Sequence, residues 1–519
     1  MAKVFVLGVD GGSFQLINSF VEQGYLPVFQ KMIEGGAYGR FVSTVPPHTA
    51  PGWTSIMTGV HTGTNGVYQF WKTNGEDYIG GFQGSEDWRS PSLWEILNAY
   101  NLKTAVVNVP MTHPPKKLNG FMISWPLSKT LNYSYPRTLL KEVMDAGCRW
   151  YPDLYLMYTG QQDYLQKALD ITRDRVKTLQ YFIQNKEWDL CMAVFPEVDR
   201  ISHFYWNYMD AGSPYYKEDA SLKYAILDIY REVDRTMGKI VELLPKDTLF
   251  VSMSDHGFRR GTINFNIDSF LVEKGYMALN KTDAVVQEQQ SGYENNFNWF
   301  MTQDHGQGYE VDWGRTKFYI AAPGSYGVNF NLLGRQREGV VRENEKEKLF
   351  HQLKKDLLAL RHPHKDIPLF VDVVLGEEIY KGKASEYAPD IMLIPYDYGV
   401  MVDHHLKPGE IFSEPEQKGM HCRDGYILFY GEGISKGKRI EYSEVTDFLP
   451  TLLVYLGIDI PEYIEGKEID VIETEYRKNI VMRHRIDVAK EPKSAQRSES
   501  YSEEERAEIE QRLKGMGYL

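Results

Sequence analysis

Cysteine is scarce in this chain. Three residues in 519, Cys148, Cys191 and Cys422, stand far apart and without metal-type pairing. That excludes a disulfide scaffold and fits a reducing compartment. Long apolar runs are missing as well. No stretch is long enough to span a bilayer, and the apolar segment of "MAKVFVLGVDGG" is too short for the hydrophobic region of a signal peptide. A cytoplasmic location with no membrane partner is therefore expected. An excess of positive charge is also lacking: Lys and Arg number 58 against 71 Asp and Glu, a net charge of −13. Such a surface is a poor start for wrapping nucleic acid, although a local pocket for one phosphate, built by side chains or by bound metal cations, stays open. Internal repeats and low-complexity tracts are absent. What is present is an ordinary globular balance, 42% hydrophobic and 25% charged, in a chain long for one core but common for a large α/β enzyme with insertions.

The apolar residues fall in short blocks separated by helical patterns. "VFVLGVDGG" is a continuous run closed by Asp and two glycines, as expected of a central parallel strand. "TAVVNVP", "WDLCMAVF" (188–195), "KDTLFVSMSDHG" (246–257), "APDIMLIP" and "GYILFYGEG" have similar strand character, while "SLWEILNAYN", residues 165–184 and "LKKDLLAL" predict helices. Alternation of this kind implies an α/β fold with a mostly parallel sheet and helices on both faces. Residues 283–313 are polar and irregular and 399–420 are loop-like. The charged tail from 472 ends in a capping box, Ser502 with Glu505, before a narrow apolar face of Ile509, Leu513 and Met516. The expected division is a first core part at 1–275, an insertion or cap at 276–370, a second core part at 371–471 and the tail at 472–519.

Residue types that ligate metals gather at the ends of the expected strands. Asp10, Asp199 and the pair Asp255-His256 all sit at or just after a strand's carboxyl end, the edge where open α/β sheets bind ligands. Asp199 and His203 are four apart, so one helical turn brings both to one point, and His421 adds an imidazole from a distant loop. With one hydroxyl, three carboxylates and three imidazoles supply two four-coordinate sites suited to zinc or another borderline divalent ion. Hydroxyls are plentiful in "PHTAPGWTS" (47–55), which holds Thr49, Thr54 and Ser55. Local hydrogen bonding alone accounts for many such loop residues.

"GVDG" (8–11), "TAPGWTSIMTG" (49–59), "WDLCMAVFPEVDRISHFYW" (188–206), "VSMSDHGF" (251–258) and "GMHCRDGYILFYGEGI" (419–434) occur in one order along nearly the whole chain. In these segments the chain resembles the type I phosphodiesterase/nucleotide pyrophosphatase family of the alkaline phosphatase superfamily, in its intracellular bacterial and archaeal branch. The resemblance implies an alkaline-phosphatase-like core and two divalent metal ions, zinc first and manganese second. One ion falls to Asp10, Thr49, Asp255 and His256, the other to Asp199, His203 and His421. It makes Thr49, in Thr49-Ala50-Pro51, the nucleophile and leaves Thr54 and Ser55 to the start of the next helix. The implied substrate is a small-molecule phosphate ester or nucleotide. No pattern sets an oligomeric state.

The chain departs from the family where characterised nucleotide pyrophosphatases carry a phosphoryl-binding asparagine. That position is Phe70, between Gln69 and Trp71, so Gln69 substitutes or the substrate is held differently. Arg335 is a further candidate for a substrate anion, with ordering of its own loop as the other reading. Phe204, Tyr205 and Trp206 are read as core packing, and His404 and His405 as surface loop residues. A phosphomonoesterase or phosphomutase on the same metals is the alternative activity, and a non-catalytic scaffold on a degenerate fold the remaining one. A sulfatase is disfavoured because its Cys-x-Pro-x-Arg signature is absent around Thr49.

Overall fold

Side chains along the first strand alternate between two apolar clusters. In β1 (Lys3–Val9), Val4 and Val6 join one, while Phe5, Leu7 and Val9 join the other. A strand buried on both faces must lie inside its sheet. In the computed structural model β1 is the central strand of nine. The described residues run from 3 to 488, except 73–74, 77, 79–80, 127–129, 131, 152–162, 282–308, 323, 405, 407–408, 484–485 and 487. The expected tail helix, most of the polar stretch 283–313 and His405 lie outside them.

The remaining strands are β2 (Ala37–Val42), β3 (Thr104–Val107), β4 (Gly120–Ile123), β5 (Ser134–Tyr135), β6 (Leu190–Phe195), β7 (Thr248–Met253), β8 (Asp424–Tyr430) and β9 (Lys438–Ile440). Their order is β9-β2-β8-β7-β1-β6-β3-β4-β5. The run β7-β1-β6-β3-β4 is parallel; β8 pairs antiparallel with β2 and β7, and β5 antiparallel with β4. This is the mostly parallel sheet expected. One face is covered by α1 (Phe14–Glu22), α2 (Pro27–Gly35), α4 (Tyr164–Asn185), α5 (Glu197–Met209) and α6 (Ala225–Leu243), which feed the second cluster. The other face packs α3 (Thr49–Thr58) and α7 (Phe448–Tyr455). No helix among the described residues is long and apolar enough to cross a membrane.

A third apolar cluster draws mainly on residues from Ile263 to Phe412. It includes a four-stranded antiparallel sheet in the order Phe318–Ile320, Gly327–Phe330, Ile391–Pro395, Phe370–Leu375. The loop-like reading of 399–420 is corrected here. Val400–Asp403 and Phe412–Ser413 flank Ile263–Asn266 in a three-stranded sheet, and Gly419–Cys422 pairs antiparallel with Gly257–Arg260. These strands are too short to show a period, and their partners lie more than a hundred residues away.

Candidate metal centre and nucleophile

Three neighbouring strands, β7, β1 and β6, end at one edge of the sheet, and each leads to a carboxylate. Asp10 follows β1, Asp255 follows β7, and Asp199 lies in the first turn of α5 just after β6. Trp53 fixes Asp10, its indole N–H donating to Oδ2 at 2.9 Å. The indole reaches that far because α3 lies hard against β1 at Gly8, where a methyl group would stand 2.4 Å from Trp53 Cη2. Gly11 then turns the chain at φ +71°, a conformation that suits glycine, and its N–H donates to Asp255 Oδ1 at 3.3 Å.

Thr49 opens α3 and is fully buried. Its hydroxyl oxygen is 3.4 Å from Asp10 Oδ1 and 3.3 Å from His256 Nε2. His48 caps the helix, Nδ1 accepting the Ala50 N–H at 3.3 Å. The expectation for Thr54 and Ser55 is corrected: both lie inside a helix that began at Thr49, and Thr54 Oγ1 donates to the Ala50 carbonyl at 2.8 Å. The sequence cue failed because the cap is a histidine, outside the usual capping set.

The ligand atoms of Asp10, Asp255 and His256 lie within 4.8 Å of one another, and so do those of Asp199, His203 and His421. Asp199 Oδ1 links the two groups, 3.1 Å from His421 Nε2, 3.4 Å from His203 Nε2 and 3.9 Å from His256 Nε2. All three imidazoles turn Nδ1 to a backbone carbonyl: His203 to Gly419 at 2.9 Å, His256 to Gly257 at 3.2 Å and His421 to Pro47 at 3.3 Å. A carbonyl only accepts, so each Nδ1 carries the proton and each Nε2 presents a lone pair inward, the tautomer of a metal-ligating histidine. His203 Nε2 and His421 Nε2 consequently approach to 3.0 Å, two lone pairs that a shared cation would ligate.

The electrostatics agree with that chemistry. Burial lowers both His256 and His421 below the ordinary imidazole value, which keeps them neutral as ligands. Burial, reinforced by the Asp10 and Asp199 carboxylates, pushes Asp255 well up, and its Oδ2 is buried with no hydrogen-bond partner. Burial acts in the same direction on Asp199, but the Arg200 guanidinium beside it opposes that and the carboxyl is held well below its usual range. Crowded buried carboxylates beside inward-facing imidazoles fit divalent cations.

The remaining sequence candidates separate. Phe70 is fully buried, edge-on to His48 with ring centroids 5.0 Å apart and stacked on Trp125 at 5.5 Å. Gln69 is also buried; its Oε1 accepts the Phe70 N–H, and a methyl group on Gly324 would stand 3.4 Å from its Nε2. Gly324 belongs to the opening over the centre, a cavity of about 30 Å³ lined also by His48, His203, Tyr326, Met401, Gln417, Met420 and His421. Arg335 is engaged elsewhere, bidentate on Asp390 at 2.7 and 2.5 Å and bonded to the Phe330 carbonyl. His404 is corrected from the surface to the interior, 5% exposed, with its N–H on Asp403 Oδ1. Tyr205 and Trp206 are buried in the second cluster. Sequence reasoning missed Trp53, His48 and Arg200. Arg200 stands beside Asp199 in "DRISH", but adjacency on a helix gives no cue that the two side chains meet.

The model of the type I phosphodiesterase / nucleotide pyrophosphatase family matches residues 4–426. Among solved structures the chain is similar to alkaline phosphatase PafA, at 16% identity over 91% of this chain and 99% of that one, with a TM-score of 0.55. It is also similar to phosphonoacetate hydrolase from Sinorhizobium meliloti 1021, at 13% identity over 86% and 94% with a TM-score of 0.51. Murine ectonucleotide pyrophosphatase / phosphodiesterase 5, an inactive variant in complex with AMP, gives 13% identity over 87% and 94% and a TM-score of 0.50. At these identities the likeness concerns the fold. Comparison with curated proteins gave no match.

Proposed function

The chain belongs to the type I phosphodiesterase / nucleotide pyrophosphatase family of metal-dependent phosphoric ester hydrolases, and from that premise we propose that it cleaves small phosphodiesters or nucleotide pyrophosphate bonds with Thr49 as nucleophile. One His/Asp group that meets the buried Thr49 hydroxyl through Asp10 and His256, with a second such group beside it across Asp199, carries the reading. In it, Asp10, Thr49, Asp255 and His256 hold one divalent ion and Asp199, His203 and His421 a second, zinc being favoured by the three imidazoles. When bound, such ions lower the proton affinity of a ligated hydroxyl and offset charge on phosphoryl oxygens.

The chain's own residues supply the rest. Thr49 sits at the N-terminus of α3, where the helix dipole favours an anionic oxygen and a bound phosphoryl group. Its Oγ1 attacks phosphorus; the Oγ1–P bond forms as the bond from phosphorus to the leaving oxygen breaks. Water then cleaves the threonine ester and returns the hydroxyl. Gln69 supplies an amide near the opening in place of the asparagine that Phe70 replaces. The three free thiols, two of them buried, support a reducing, cytoplasmic setting.

The test compares an aryl phosphodiester with the matching monoester on metal-replete wild type, chelated protein and Thr49→Ala. Diester cleavage that chelation and the substitution both abolish is expected. Rapid monoester turnover without diester cleavage would sink the diesterase reading, and equal low rates in wild type and Thr49→Ala would sink catalysis altogether.

A further inference from the structure

Arg200 is fully buried on α5, next to Asp199, and its guanidinium pairs with Asp199 Oδ2. The two oxygens of Asp199 are thus divided. Oδ2 is taken by a donor that cannot be deprotonated, while Oδ1 faces the Nε2 atoms of His421 and His203. A carboxylate in this position has one oxygen for a cation, and the charge of that carboxylate is matched by a guanidinium a few ångströms away. Asp255 offers the contrast, with a buried Oδ2 that has no hydrogen-bond partner.

Resting on the two-ion reading above, we propose that Arg200 is a built-in counter-cation: it restricts Asp199 to one-oxygen ligation and weakens the ion held by Asp199, His203 and His421. The physical reason is Coulombic. A divalent ion entering this group meets a fixed positive charge that water does not screen, because Arg200 and Asp199 are both buried. The imidazoles of His203 and His421 bring no negative charge to compensate it. The result is a centre with one exchangeable ion, whose occupancy follows the ambient concentration of divalent metal.

The test titrates full-length metal-free protein with Mn²⁺ and reads free ion by its paramagnetic resonance spectrum. Mn²⁺ suits the purpose because its affinity follows oxygen ligands and charge more than imidazole count. Wild type should bind in two steps, and His421→Ala should lose one of them. In Arg200→Met that same step should tighten by at least about tenfold while the other moves little. Arg200→Lys, which keeps the charge, should stay near wild type. An unchanged or weakened step in Arg200→Met overturns the proposal. Where that variant does not fold, Arg200→Gln carries the same expectation, and a crystal structure of the Mn²⁺-loaded wild type gives an independent answer. There only Asp199 Oδ1 should reach bonding distance, and a bidentate carboxylate overturns the proposal. Absence of both Mn²⁺ and Zn²⁺ binding to the metal-free protein would refute the two-ion reading itself, an outcome distinct from failure at Arg200.

Discussion

Replacing Gly8 by alanine tests whether the close approach of α3 to β1 positions Thr49, the proposed nucleophile. The added methyl group would lie 2.4 Å from Trp53 Cη2, 2.8 Å from Val194 Cγ2 and 3.0 Å from Trp53 Cζ3. Ordinary contact begins at 3.4 Å, so the indole must retreat by about 1 Å, the difference between 3.4 and 2.4 Å. Trp53 is fully buried and has no open side toward which to move. Its retreat pulls the N–H away from Asp10 Oδ2 and displaces the helix whose first residue is Thr49. Overpacking of this kind costs about 1–3 kcal/mol of stability. A misplacement of about 1 Å at a reacting group costs on the order of 100-fold in rate. Gly8→Ala should therefore fold, melt a few degrees lower by about that energy, and lose roughly two orders of magnitude in kcat on an aryl diester. Gly75→Ala, where nothing lies within 4 Å of the added methyl group, is the control and should match wild type. A Gly8→Ala enzyme within twofold of wild-type kcat, with an unchanged melting temperature, would refute the reasoning.

Two further outcomes are expected. Phe70→Asn, which restores the family's amide, should not raise diester turnover; it should instead cost about 3–5 kcal/mol in chemical denaturation, because the ring is fully buried between His48 and Trp125. Arg260 donates two hydrogen bonds of 2.6 Å to Asp210. Burial tends to raise that carboxyl, but Arg260 and the Trp206 indole N–H outweigh it and leave it below its usual value. The pair's contribution is thus present above the unfolded carboxyl's pKa of about 4 and is lost as pH falls through the lower folded value. Arg260→Met should cost about 1 kcal/mol at pH 7, and the deficit against wild type should shrink in urea titrations taken progressively below pH 4; a deficit constant with pH would contradict this account.

The sheet and most of the centre were legible because each rested on a local signal. Apolar blocks ending in Asp marked β1 and β7, and the spacing of Asp199 and His203 matched one turn of α5. Long-range pairing left no such mark. His421 read as a loop residue because the strand that carries it, Gly419–Cys422, is defined by a partner some 160 residues earlier, as its pairing of His421 with Phe258 illustrates. His404 reads as a surface residue for a related reason: a polar side chain in irregular sequence looks exposed until its partner, Asp403, is known. The helix beginning at Thr49 was placed too late because its cap is a histidine side chain.

Each of the three imidazoles is oriented by a main-chain carbonyl, those of Pro47, Gly257 and Gly419. Met401 and Gln417, in the wall of the opening, are separate from those carbonyls and are positions where a substitution would reshape what enters while leaving the aim of the rings to the main chain. Such a division lets one hydrolytic engine be handed from substrate to substrate over evolutionary time, and it makes the wall of the opening the place to begin when redirecting this enzyme by design.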